Sequence, residues 1–186
     1  MLIYAARHGQ TEMNEHNEIS GVTDVDLNET GVCQAEALAK KLAALPRPPR
    51  MVICSDMKRA LHTASIAAEF LSIPLVTDPR LREQDYGRFE GMDRLTPGFL
   101  QTKHNFAVRY PGGESMLDTA QRVYACLDEV LSANADTDLL VVAHGGVLRI
   151  LRTYFVDMTN DEFFYYNAEN AAFETYYYEE KDEDLI

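Results

Sequence analysis

The sequence predicts an α/β fold, a three-layer α/β/α sandwich around a mostly parallel central sheet. Short apolar runs alternate with longer stretches of helical apolar spacing, the order produced when strands are joined by crossover helices. Three of these runs, Leu2–Ala6, Met51–Cys54 and Leu139–Ala143, pass at once into polar residues and then into a helical pattern, as strand–turn–helix units do. At 186 residues and 46% hydrophobic, the chain supports one well-buried core and is short for two. No repeat, linker or low-complexity tract divides it. Residues 1–178 are therefore expected to form a single domain, followed by an acidic C-terminal tail, 179–186.

The first strand ends where Leu2-Ile3-Tyr4-Ala5-Ala6 meets Arg7-His8-Gly9, and a polar loop follows from Asn14 to Asp26. Asn28 or Thr30 can cap a helix reaching about Leu45, with Val32, Ala35, Leu38, Ala39 and Leu42 spaced for one apolar face. Pro46-Arg47-Pro48-Pro49 ends it. Strand Met51–Cys54 leads into a helix from about Asp56 to Leu71, then a short strand near Pro74–Thr77. Between Gly91 and Gly113 the periodicity is poor and Pro97, Gly98 and Pro111 interrupt it. A loop or broken helix of that length in a compact domain usually serves a function. Ser115 caps a helix to about Leu131, and strand Asp138–Ala143 runs through His144-Gly145-Gly146 into a helix Val147–Phe155. A turn and short helix occupy Asp157–Glu162, and Ala171–Tyr178 closes the sheet as an edge strand, one route to a homodimer.

A net charge of −13 argues against nucleic acid or an anionic membrane as partner, since either requires a basic face. No segment approaches the roughly 18 apolar residues of a membrane span, and the apolar start reaches charge at Arg7, too soon for a signal peptide. Cys33, Cys54 and Cys126 are odd in number and lack metal-type spacing, which predicts buried, reduced thiols and a cytoplasmic protein. The acidic tail beginning at Glu179 is expected to be a solvated terminus.

Four pieces carry chemistry. Arg7-His8-Gly9-Gln10-Thr11 puts a guanidinium and an imidazole at the carboxyl end of a strand, where open α/β sheets place ligand crevices. Ser55-Asp56-Met57-Lys58-Arg59-Ala60-Leu61-His62-Thr63-Ala64 follows the second strand. Leu81-Arg82-Glu83-Gln84-Asp85-Tyr86-Gly87 comes next, and Ala143-His144-Gly145-Gly146 again joins strand to helix. In this order, from Met1 to about Thr175, the chain resembles the histidine phosphatase superfamily, the phosphoglycerate mutase-like family.

The resemblance implies a phosphoryl-transfer site on a small phosphorylated substrate. His8 is then the nucleophile, attacking phosphorus through a neutral ring nitrogen while the other nitrogen donates a hydrogen bond. Arg7 and Arg59 are implied as clamps, because a guanidinium fork holds two phosphate oxygens and stays charged. His144, at a helix start with Gly145, would donate to the transferring group. Gly9 would give room for close approach, with the amides after it facing the anion. Glu83 is the implied general acid from the register Leu81-x-Glu83-x-x-x-Gly87, with Asp85 and Glu90 as rivals. Asn14, Thr11, Ser20 and Gly21 are candidate hydrogen-bonders to phosphate or substrate. No cofactor is implied, and the five histidines show no metal-ligand spacing with a carboxylate; His16, His62 and His104 are expected outside the site.

A phosphohistidine can be hydrolysed or can return its phosphoryl group to a second hydroxyl. Mutases of the family have a longer insert over the site; here the stretch from Gly91 to Gly112 is short and holds only Arg94 and Arg109. That favours water access and a phosphomonoester hydrolase akin to small broad-specificity or ribazole-phosphate phosphatases. Mutase-type transfer is the first alternative. A non-catalytic binding protein on the same fold is the second, disfavoured because Arg7, His8, Arg59, Glu83 and His144 are all present.

Overall fold

The computed structural model describes residues 1–179, so the expected acidic tail lies, beyond Glu179, outside the described residues. In chain order the elements are β1 (Leu2–Arg7), α1 (Glu12–Glu15), α2 (Glu29–Ala43), β2 (Met51–Cys54), α3 (Lys58–Leu71) and β3 (Leu75–Thr77). They continue with α4 (Pro97–Lys103), α5 (Met116–Ala133), β4 (Leu139–Ala143), α6 (Gly145–Phe155), α7 (Asn160–Tyr165) and β5 (Phe173–Tyr177). The strands form one sheet in the order β3-β2-β4-β1-β5. All pairings are parallel except that of β5 with β1.

The two-residue period of the strands sorts their side chains onto two faces. Ile3, Ala5, Leu139 and Val141 pack with Val123 and Leu127 of α5 and Leu148 and Ile150 of α6. Tyr4, Ala6, Leu140 and Val142 pack with Leu38 and Leu42 of α2 and the alanine stripe Ala60, Ala64, Ala67 of α3. Buried on both faces, β1 and β4 read as unbroken apolar runs, as interior parallel strands must. Truncating a fully buried side chain such as Leu140 to alanine should cost about 2–5 kcal/mol.

Helix ends follow the chemistry of the caps. Asn28, not Thr30, caps α2 by accepting from the Gly31 N–H at 2.8 Å. Ser115 and Asp118 close a reciprocal capping box at the start of α5. Thr11 and Asn14 do the same for α1, so a single helical turn opens what the sequence presents as loop. Strand β4 starts one residue late: the Leu2 N–H donates to the Asp138 carboxylate and not to a ladder carbonyl, and that carboxylate also pairs with Arg47 at 2.7 Å. Cys54 and Cys126 are buried, and burial pushes both thiols up to about 12. Cys33 is exposed, contrary to expectation, because it falls on the outer face of α2, away from Ala35, Leu38 and Leu42. No helix among the described residues is long and apolar enough to cross a membrane.

After β1 the chain leaves toward the α2 and α3 layer, and after the adjacent β4 it leaves toward the α5 and α6 layer. The carboxyl ends of these two strands thus open a crevice at a switch point, where α/β sheets bind ligands. The excursion after Gly91 roofs the crevice. Its α4 contributes Phe99 to an aromatic cluster with Tyr86, Phe89 and Tyr110, with ring centroids 5.2–6.0 Å apart.

Candidate active site

His8 follows β1 directly and is pinned by its backbone on both sides. Its N–H donates to the Ala143 carbonyl at 3.0 Å, and its own carbonyl accepts from Asn170 Nδ2 at 2.9 Å. The buried ring places Nδ1 2.7 Å from the Gly9 carbonyl. A carbonyl only accepts, so Nδ1 carries the proton and Nε2 keeps its lone pair. Burial, then the Arg59 and Arg7 charges, hold the imidazole well below the usual histidine range, which keeps it neutral.

His144 caps α6 at the end of β4, fully buried, its ring centroid 5.1 Å from that of His8. Its Nδ1 accepts from Arg59 Nε at 3.2 Å. A guanidinium only donates, so here Nδ1 has the lone pair and the proton is on Nε2. That Nε2 is buried and has no hydrogen-bond partner among the described residues. Burial, Arg59 and His8 keep this ring neutral too. The pair is therefore complementary, one histidine offering a lone pair and the other an unpartnered N–H.

Glu83 is buried beside the first turn of α6. One carboxylate oxygen accepts from the Gln84 N–H and the other from the Gly146 N–H, each at 2.9 Å. Glycine at 146 is a close-approach requirement, since a Cβ there would lie 2.5 Å from Glu83 Oε1. The rivals are engaged elsewhere. Glu90 accepts from the Gly21, Val22, Thr23 and Tyr86 N–H groups and the Thr23 hydroxyl, which ties down the loop before α2. Asp85 accepts from the Gly87 N–H. Neither lines the cavity.

That cavity, about 120 Å³, has room for on the order of eight water-sized groups, the scale of a small ester. Arg7, His8, Asn14, Ser20, Glu83 and Gly145 of the expected residues line it. Arg7 donates to the Ala168 carbonyl at 2.7 Å and keeps a buried, unpartnered Nε; burial pulls its pKa down to about 10. Arg59, Thr11, Gly21 and His144 do not line the cavity. Arg59 stands one layer back, donating to His144 and to the Thr23 and Gly21 carbonyls at 2.8 and 2.7 Å. Thr11 caps α1, and Gly21 lies between Glu90 and Arg59.

The expectation that the amides after His8 face an anion is corrected. The Gly9 N–H donates to the Thr63 hydroxyl, that of Gln10 to Gln34 and that of Thr11 to Asn14. The close approach at Gly9 is to α2, since a Cβ would sit 2.4 Å from the Gly31 carbonyl oxygen. His16 and His104 are exposed, and His62 pairs with Asp26 on the surface at 2.8 Å. Sequence reasoning missed Gln84, Tyr86, Lys103 and Arg149 on the cavity wall and gave Arg94 no role. For Arg149 a signal existed, a lone arginine inside the apolar run Val147-Leu148-Arg149-Ile150-Leu151. For Lys103 there was none. No group of three or more His, Cys, Asp or Glu among the described residues could hold a metal ion.

Residues 3–186 match the family model described as "Histidine phosphatase superfamily (branch 1)". A curated relative, the "Probable phosphoglycerate mutase GpmB" of Yersinia pestis, is 36% identical over 156 residues, 80% of this chain and 72% of its own. Among solved structures, a mycobacterial glucosyl-3-phosphoglycerate phosphatase in complex with VO3 superposes with a TM-score of 0.83 at 28% identity, over 94% of this chain and 90% of that one. Bacillus stearothermophilus YhfR superposes with a TM-score of 0.80 at 28% identity, over 94% and 89%.

Proposed function

The chain belongs to the histidine phosphatase superfamily, and on that premise we propose that it is a phosphomonoester hydrolase that works through a phosphohistidine on His8. The observation that carries this is the complementary pair of tautomers, a lone pair on His8 Nε2 beside an unpartnered N–H on His144. Transfer of a phosphoryl group needs little covalent help beyond a placed nucleophile and positive charge around the equatorial oxygens. His8 Nε2 gives its electron pair to phosphorus, and the P–O ester bond breaks with its pair going to the leaving oxygen. Glu83 supplies the proton that oxygen takes. Arg7 and His144 Nε2–H stabilise the charge on the transferring group. In the second half, Glu83 takes a proton from water as the oxygen bonds to phosphorus, and the P–N pair returns to His8.

Water as the acceptor is favoured by the short roof, in which α4 is a helix of only 7 residues, and by the name of the mycobacterial neighbour, a glucosyl-3-phosphoglycerate phosphatase. Mutase transfer is the second reading, favoured by the name of the Yersinia pestis relative. Brief incubation with labelled substrate followed by denaturation should give an acid-labile, base-stable adduct that is absent in His8→Ala. Activity should persist in EDTA. Label on a serine or aspartate would end the mechanism, and transfer to an added alcohol outpacing release of phosphate would select the mutase.

A further inference from the structure

We propose that Lys103 and Arg149 form a second anion-binding subsite, so that the preferred substrates are phosphate esters bearing a further anionic group, a carboxylate or a second phosphate. The proposal rests on the phosphatase reading for where the reacting phosphoryl group sits.

The cavity wall carries four cations, Arg7, Arg94, Lys103 and Arg149, against one carboxylate, Glu83, in a protein of net charge −13. Among the described residues none of the four forms an ion pair, whereas Arg47, Arg80, Arg82, Arg109, Arg122 and Arg152 all do. Buried charge is normally compensated, so an uncompensated group of cations points to a ligand that supplies the counter-charge.

The four are not one cluster. Arg7 donates to the Ala168 carbonyl, whereas Lys103 and Arg149 lie against α7, over the adjacent Phe164 and Phe163 rings. Arg94 donates to the Glu18 carbonyl at 3.1 Å. Lys103 and Arg149 therefore share the α7 side of the cavity wall.

Arg149 is nine-tenths buried. It donates to the Tyr166 carbonyl at 2.9 Å, its guanidinium lies 5.6 Å over the Phe163 ring, and its buried Nε has no partner. Lys103, at the end of α4, holds its ammonium 4.6 Å over the Phe164 ring and faces no carboxylate among the described residues. A fork and a point charge lining one cavity suit a carboxylate or a phosphate. Burial, with Arg149 and Arg94 nearby, lowers Lys103 to about 8; a bound anion would relieve that repulsion. Such a site discriminates strongly, because a substrate without the anion leaves the buried donors unpaired.

The test uses a three-carbon series differing only at the remote end: 3-hydroxypropyl phosphate, 3-phosphonooxypropanoate and propane-1,3-diyl bisphosphate. For the wild-type chain, kcat/KM on the carboxylate or the bisphosphate should exceed that on the hydroxyl ester roughly ten- to a hundredfold, the scale of one charge-assisted hydrogen bond. The better of the two identifies the anion. Lys103→Met and Arg149→Met should each shrink that ratio, and Lys103→Arg should restore part of it. Because Arg149 is buried, Arg149→Lys serves where Arg149→Met does not fold. No preference in the wild type, or a preference that survives both substitutions, overturns the subsite. Calorimetric binding of the same three esters to His8→Ala separates the two readings. If no ester is hydrolysed by the wild type but binding keeps the preference, the phosphatase reading falls and the subsite stands; equal binding of all three removes the subsite whatever the catalysis.

Discussion

Gly146→Ala is the sharpest probe of how Glu83 is held. The added methyl would begin 2.5 Å from Glu83 Oε1 and 3.1 Å from the Tyr86 hydroxyl, so the carboxylate must retreat by about 0.9 Å to reach an ordinary 3.4 Å contact. Its two hydrogen bonds, both 2.9 Å, tether it to Gln84 and to residue 146 itself, and a displacement of that size breaks at least one of them. A misplacement near 1 Å in a catalytic group costs on the order of a hundredfold. Folding should tolerate the change, because the clash is with the end of a side chain and alanine favours the first turn of α6. The assay compares kcat/KM on 3-hydroxypropyl phosphate, whose leaving alkoxide needs a proton, with p-nitrophenyl phosphate, whose leaving group does not. The alkyl ester should lose about a hundredfold and the aryl ester roughly tenfold less than that. Equal losses on the two esters, or a loss under about threefold on the alkyl ester with an unchanged melting temperature, would refute the role given to Glu83.

Arg59→Lys should lower both stability and kcat/KM, because a lysine cannot serve His144 Nδ1 and the Gly21 and Thr23 carbonyls together; a loss of about 2–4 kcal/mol by urea unfolding is expected from the carbonyls left unpaired. Glu90→Gln should destabilise by about 1–3 kcal/mol through the loop at Gly21–Thr23, while Asp85→Asn, whose carboxylate accepts only from Gly87, should stay within about 1 kcal/mol; the same unfolding assay ranks them, and neither change should alter the leaving-group dependence. Lys103 is charged below about pH 8 and neutral above it, so the preference for 3-phosphonooxypropanoate over 3-hydroxypropyl phosphate should decline as pH rises from 7 to 9.5, and should be flat in Lys103→Met. The same depressed pKa means that the folded chain binds fewer protons than the unfolded chain between about pH 8 and 10.5, so this group's contribution to stability rises with pH across that window.

The sheet was legible because its interior strands are short, wholly apolar and followed at once by polar turns. Leu139–Ala143 and Met51–Cys54 admit little else. Boundaries slipped where a side chain overrides local pattern, as when Asp138 turns away to Leu2 and Arg47, or when the capping box at Thr11 builds a helical turn from polar residues. Within the site, motif order led to His8, Glu83 and His144, yet it gave no hint that Arg59 faces His144 and two backbone carbonyls. Nor could it bring Lys103 and Arg149 together. They are 46 positions apart, and their meeting depends on how α4, through Phe99, seats on Tyr86 and Tyr110, a packing event that no local window contains.

The hydrogen bond from the His8 N–H to the Ala143 carbonyl continues the ladder of two interior parallel strands. The spacing of the two histidines is thus a property of the sheet, and the sites of slowest amide exchange in the molecule should include His8. Lys103 rides on a seven-residue helix laid over an aromatic cluster at the periphery, where exchange should be orders of magnitude faster. The chemistry and the Lys103 half of the selectivity therefore reside in different cooperative units, while Arg149 belongs with His144 on α6. The roof can be exchanged between relatives, or rebuilt in the laboratory to admit new esters, without loosening the pair of rings that moves the phosphoryl group.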